Sequence, residues 1–151
     1  MLRNSEDHIA ENRNHNEKIL MDRLLADAKK PLSVLDIGCG MGRWATNLLD
    51  RIAVYDGIDF TTSYVDASNE LFKDYPHIRF YQGLASEIDL QPLQLAHYDL
   101  IIIAGLLIYM NDNDVNKLMN ITDQLLADDG MFYIRESISV IDQRLTLKDF
   151  H

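Results

Sequence analysis

The sequence predicts an α/β fold: a parallel sheet, doubly wound, with helices on both faces. Three observations carry that expectation. Short apolar runs alternate with segments of helical periodicity along the chain. The first run ends in a glycine-rich turn, "VLDIGCGMGRW" (Val34 to Trp44), which leads into a helical pattern. The length, 151 residues, suits one domain with a substantial core.

The elements follow in order. Ile19, Leu20, Leu24, Leu25 and Ala28 suggest a leading helix stopped by Pro31. "LSVLDI" (Leu32 to Ile37) is a short β-forming run that stops at the glycines, the pattern of a strand buried on both faces. After Gly42, Trp44, Ala45, Leu48 and Leu49 keep helical spacing. "AVYDGIDF" (Ala53 to Phe60) reads as the second strand. Tyr64, Val65, Ser68, Leu71, Phe72 and Tyr75 mark one helix face, with Ser63 as N-cap and Pro76 past the end. "IRFYQG" (Ile78 to Gly83) and "YDLIIIA" (Tyr98 to Ala104) are strands three and four, the latter continuously apolar and therefore central. Val115, Leu118, Met119, Thr122, Leu125 and Leu126 give a further amphipathic helix, capped by "NDND". "DDG" then turns the chain into a fifth strand, "MFYIRE" (Met131 to Glu136). In such sheets ligands sit beyond the carboxyl ends of the strands, which makes Asp36, Asp59, Gln82, the stretch Ala104 to Tyr109, and Glu136 site candidates.

Composition excludes several functions. The formal net charge is −10, with no basic cluster, so a phosphate backbone is repelled and nucleic acid is not an expected partner. The longest apolar stretch, Leu100 to Met110, is too short for a membrane span, and the polar start lacks a signal-peptide core. The single cysteine, Cys39, fits a reducing compartment, and the expected location is the cytoplasm. The five histidines show no ligand spacing and the carboxylates do not cluster, so no metal is expected.

The glycines define the chemistry. A strand-to-helix turn with Gly38, Gly40 and Gly42 lets a ligand approach the main chain, and the following helix offers free N–H groups. The dinucleotide fingerprint needs its last glycine three positions beyond the second, where this chain has Arg43. An NAD-dependent oxidoreductase is therefore the weaker reading. The pattern Asp36-x-Gly38-x-Gly40-x-Gly42 instead resembles the first motif of class I S-adenosylmethionine-dependent methyltransferases. "YDGIDFTTSYVDASN", "IRFYQGLASEIDL", "YDLIIIAGLLIYMND" and "LLADDGMFYIRES" resemble the family's following motifs in order, from about Val34 to Ser137.

The resemblance implies a Rossmann-like sheet of strand order 3-2-1-4-5 and S-adenosyl-L-methionine as cofactor. It implies cofactor contacts at Asp36, Gly38, Cys39, Gly40 and Gly42, and at Asp59, whose carboxylate can accept from both ribose hydroxyls. Phe60, Gly83, Leu84 and Ala85 fall around the adenine, and Ala104 and Gly105 at the methionyl end. Where the family commonly has an acid for the adenine amino group, this chain has Leu84, which leaves Ser86 or Glu87 as acceptor. Tyr109 and Glu136 are the catalytic candidates, each able to act as base or to orient the acceptor.

The implied reaction is in-line methyl transfer to a small molecule or a sugar, and a catalytically inactive cofactor-binding module is the alternative. The domain is expected to be single, 1–151, with a helical segment over 1–30 and a core over 31–138. The family's C-terminal hairpin is expected to be missing. The chain is thus expected to be truncated or part of a longer polypeptide, or to have strand five covered by another segment or subunit.

Overall fold

The computed structural model describes residues 5–28 and 30–137. Expectations that fall on 138–151, the missing hairpin among them, lie outside the described residues. Helix α1 (Ser5–Leu24) precedes strand β1 (Leu32–Ile37), then come α2 (Arg43–Asn47), β2 (Ile52–Asp59), α3 (Thr62–Leu71), β3 (Ile78–Gln82), β4 (Tyr98–Ala104), α4 (Asp112–Leu125) and β5 (Leu126–Arg135). One-turn 3-10 helices lie at Leu49–Arg51 and Leu107–Tyr109. The five strands form one parallel sheet in the order β3-β2-β1-β4-β5, as the resemblance implies.

Alternation along the central strands sends successive side chains to opposite faces, and both faces are buried. On one side Val34, Tyr55, Leu100 and Ile102 pack with Met21 and Leu25 beside α2 residues Trp44 and Ala45, and with Val65 and Phe72 from the α3 region. On the other, Leu35, Ile37, Ile58, Ile101 and Ile103 pack with Leu118 and Leu125 of α4 and with Ala85, Ile88 and Leu93 of the β3–β4 connection. That connection is tied down by Asp56, fully buried. Its carboxylate accepts from Gln94 Nε2 at 2.7 Å, from the Gln94 main-chain N–H at 2.8 Å, and from the Tyr98 hydroxyl. No described helix is long and apolar enough to cross a membrane.

Three details differ from the sequence reading. The inward face of α1 and its end is Glu17, Met21 and Leu25, whereas Ile19, Leu20 and Leu24 are exposed. A stripe spaced by four residues carries a carboxylate in its middle, so apolar residues alone point to the wrong face. Helix α3 takes Thr61, not Ser63, as its N-cap, and the Thr61 side chain makes no cap hydrogen bond. Asp59 instead accepts from the Thr61 N–H, in an Asx-type turn that leads into the helix. Strand β5 begins at Leu126: its partners are Tyr98 for Leu126 and Leu100 for Met131. The "DDG" stretch is therefore extruded between two pairings of one strand, since β4 advances two residues while β5 advances five.

Candidate functional site

The chain leaves β1 through a loop held open by main-chain conformation. Gly38, Gly40 and Gly42 have φ of +74°, +55° and +75°, in the left-handed region that side chains resist. A Cβ on Gly40 would meet nothing within 4 Å, so open space lies above it, whereas one on Gly42 would come within 2.9 Å of the Phe80 ring. The first glycine thus leaves room above the loop, and the second lets the loop pack on the core. The Gly38 and Cys39 N–H groups donate to the Ile58 carbonyl at 2.8 and 3.1 Å. Gly40 N–H donates to Asp59 Oδ2 at 2.9 Å, and Thr61 N–H donates to Asp59 Oδ1 at 2.9 Å. A single carboxylate at the tip of β2 therefore ties the glycine loop to the turn that leads into α3.

Asp59 also forms part of the wall of a cavity of about 490 Å³ at the carboxyl ends of the strands. Gly38, Phe60, Gly83, Leu84, Ala85 and Gly105 share that wall, as do Tyr109, Ser86 and the α4 residue Asp114. Phe60, Leu84 and Tyr109 stand at the mouth, 66%, 54% and 69% exposed. Asp36, Cys39, Gly40, Gly42, Ala104 and Glu87 are not wall residues. Asp36 lies beneath the loop, buried, and accepts from the Tyr55 hydroxyl at 2.6 Å. Burial pushes its carboxyl up to about 7, against the lowering effects of the Tyr55 hydrogen bond and the Arg43 charge, while Asp59 adds to the rise. The Cys39 thiol is buried as well and is pushed upward by burial and by the charges of Asp36 and Asp59, which hold it in the protonated, weakly nucleophilic form.

Glu136 is already engaged. Its Oε1 accepts from the N–H groups of Leu106 and Leu107 at 2.7 and 2.8 Å, which fixes the turn that carries Tyr109. Its Oε2 is buried without a hydrogen-bond partner. Next to it, the Arg135 carbonyl accepts from Gly105 N–H at 2.8 Å, and the Arg135 guanidinium meets Glu17 at 2.7 Å. Arg43, the first residue after the glycine loop, meets the other oxygen of Glu17 at 2.7 Å. Both contacts are close ion pairs whose directions fall outside hydrogen-bond geometry.

With this geometry in place, the likenesses become specific. The profile of a family described as "Methyltransferase domain" matches residues 34–130. The chain belongs to the methyltransferase-domain family. It is 29% identical over 106 residues to phosphoethanolamine N-methyltransferase 1 of Triticum aestivum, covering 70% of this chain and 21% of that protein. It is 32% identical over 117 residues to the malonyl-[acyl-carrier protein] O-methyltransferase of Acetivibrio thermocellus, covering 74% of this chain and 38% of that one. The chain thus spans about a fifth to two fifths of these relatives. Among solved structures, phosphoethanolamine N-methyltransferase 1 of Haemonchus contortus, in complex with phosphoethanolamine and S-adenosylhomocysteine, superposes with a TM-score of 0.70 at 23% identity. That match covers 91% of this chain and 29% of that one. The YcgJ protein of Bacillus subtilis matches with a TM-score of 0.66 at 26% identity, over 80% of this chain and 50% of that one. The cofactor of this methyltransferase family is S-adenosylmethionine.

In this methyltransferase domain the cavity gathers eight of the fourteen residues singled out from sequence: Gly38, Asp59, Phe60, Gly83, Leu84, Ala85, Gly105 and Tyr109. Sequence reasoning missed Glu17 and Asp114. Glu17 had a legible signal in its spacing of four from Met21 and eight from Leu25. Asp114 had none beyond its place in a capping run: Asn111 Oδ1 accepts from Asp114 N–H at 2.9 Å, as a cap should.

Proposed function

We propose that the chain carries out S-adenosylmethionine-dependent methyl transfer to a neutral or cationic small molecule or a sugar. The observation that carries this reading is Asp59, one carboxylate that both anchors the glycine loop and lines the cavity. The site's residues fit the cofactor. The cavity has the size of a small-molecule site, on the order of 300–1,000 Å³, and the open space above Gly40 suits close main-chain approach. Each Asp59 oxygen accepts one N–H and retains capacity for one ribose hydroxyl. Phe60, Leu84 and Ala85 offer apolar surface to the adenine, while Gly38 and Gly105 border the methionyl end. Asp36 supports the loop from below rather than touching the ligand.

When bound, the cofactor supplies a methyl group on a cationic sulfur. The protein's task is then to hold an acceptor atom in line with that methyl, and orientation of this kind supplies much of the acceleration. Tyr109, in the cavity wall on a turn held by Glu136, is the residue this reading assigns to orient the acceptor. Glu136 acts as a positioning residue, since its Oε1 is committed to two main-chain N–H groups. The two carboxylates in the wall, Asp59 and Asp114, favour a neutral or cationic acceptor over a phosphorylated one.

Titration calorimetry with S-adenosylhomocysteine and with NAD tests the cofactor reading, and labelled methyl transfer to pools of amines, sugars and small hydroxylated metabolites tests turnover. Binding of S-adenosylhomocysteine alone, with label recovered in one pool, is the expected result. Binding without transfer to any pool favours the inactive cofactor-binding module.

A further inference from the structure

The cofactor presents four kinds of hydrogen-bond donor or cation to its site: a ribose diol, an ammonium group, a sulfonium and the exocyclic amine of adenine. Asp59 matches the diol, and main-chain carbonyls near Gly38 and Ala104 match the ammonium. The amine requires a separate acceptor, because a donor desolvated in a cavity without one costs what a lost hydrogen bond costs. The segment after β3 places Gly83, Leu84, Ala85 and Ser86 in the wall, and α4 places Asn111 and Asp114 there. Both segments cover the same sheet face, through Ala85 and Ile88 on one side and Leu118 on the other. Ser86 and Asp114 therefore belong to the part of the cavity built over that face, whereas Asp59 belongs to the strand tips and the glycine loop. Glu87 is not in the wall.

We propose that Asp114 accepts from the adenine amino group and so selects adenine over a purine that carries a carbonyl at that position. The proposal rests on the cofactor reading above. The Asp114 carboxylate is aimed by its neighbours: Asn111 Nδ2 donates to Oδ2 at 2.9 Å, and Lys117 lies 3.4 Å from Oδ1. Each oxygen holds one such partner and keeps a lone pair free. Its side chain is 32% exposed, so the cavity withdraws it partly from water. Asn111 is the weaker acceptor, since its amide is neutral and is tied at both ends to Asp114. Selectivity follows from charge. An amine donates to the carboxylate, whereas a carbonyl oxygen would face it with lone pairs opposed.

Calorimetry with S-adenosylhomocysteine and S-inosylhomocysteine, on the wild type and on Asp114→Ala, Asp114→Asn and Ser86→Ala, tests this, with unfolding midpoints as the check on folding. The wild type should bind the adenosyl ligand about 10-fold or more tightly than the inosyl one. Asp114→Ala should bring that ratio near one, chiefly by loss of adenosyl affinity. Asp114→Asn should also erase the preference, but by a gain for the inosyl ligand, because an amide can donate to its carbonyl. Ser86→Ala should leave the ratio intact. A ratio unchanged in Asp114→Ala would overturn the proposal, as would a ratio lost in Ser86→Ala or a wild type that binds both ligands equally. A folded wild type that binds neither ligand overturns the cofactor reading itself.

Discussion

At the scale of single residues, buried acids do most to connect the sequence to the site. Asp59 holds two main-chain N–H groups and borders the cavity, so its removal should cost both order and affinity. Asp59→Ala is expected to weaken S-adenosylhomocysteine by about 1.5–3 kcal/mol for each charge-assisted bond lost, with Asp59→Asn intermediate, as read by calorimetry. Asp56 is no neutral control, because it is bonded to Gln94 and Tyr98 in the interior. Asp66, on the exposed side of α3, serves better. Asp36 carries a pH signature. Its carboxyl is raised to about 7 in the folded state from an ordinary value near 3.8, so the folded chain holds a proton that the unfolded chain has released. Its contribution is thus fully present below pH 3.8 and is lost as pH rises towards 7, at up to about 1.4 kcal/mol per pH unit. Asp36→Asn should flatten that part of the curve in urea titrations between pH 4 and 7, and an identical slope in the variant would show that another group titrates. Glu136→Gln should lower affinity and turnover together, since it alters the turn that carries both Gly105 and Tyr109 and not a proton transfer alone.

At the scale of elements, α1 is the strut of the site. Glu17 pairs with Arg43 at the exit of the glycine loop and with Arg135 at the end of β5, so one side chain ties the loop to the far strand. Asn14, a turn earlier, accepts from Arg43 at 2.9 Å and from Asn47 at 3.0 Å. Glu17→Gln leaves two arginines facing a neutral group. Breaking a buried pair costs about 3–5 kcal/mol, and less here because both arginines reach solvent and rehydrate. A lowered urea midpoint with an unchanged m-value is the expected reading. These elements also show what the sequence reveals and what it hides. Strand β4 could be read to the residue, Tyr98 to Ala104, because a continuous apolar run ends at a glycine. The glycine loop and Asp59 were equally plain, since their roles depend on main-chain conformation and on position at a strand end. The inward face of α1 was not, because its central residue is a glutamate whose partners lie 26 and 118 positions away. The extruded stretch in β5 was hidden for a related reason: its pairing is set by β4, not by its own residues. Asp114 looks like any first-turn acid until the cavity is assembled around it.

At the scale of the whole molecule, the cavity lies at the carboxyl ends of the strands, over the face covered by α4 and the β3–β4 connection, whose core residues Ile58, Ala85, Leu106 and Met110 stand in its wall. Gly38, Asp59 and Phe60 add the glycine loop and the start of the β2–α3 connection to that wall, and these segments lead into α2 and α3, which pack on the opposite face. A ligand lodged there touches the α4-side layer and the two loops that lead into the other layer, so its binding depends on the folding of both. Ligand binding should therefore stabilise the molecule as a unit, raising one cooperative transition rather than splitting it. At a concentration 100 times its dissociation constant, S-adenosylhomocysteine should add about 2.7 kcal/mol, a rise in Tm of roughly 5–11 °C for a chain of this size. NAD should give none. In Asp59→Ala the rise should shrink at a fixed ligand concentration, because affinity falls while the assembly of the layers is kept. In Gly42→Ala the unliganded Tm itself should fall, since the added methyl group meets the Phe80 ring at 2.9 Å in a backbone conformation that alanine resists. Two separate transitions in differential scanning calorimetry, with only one of them moved by the ligand, would show that the layers fold independently and that the cavity does not couple them.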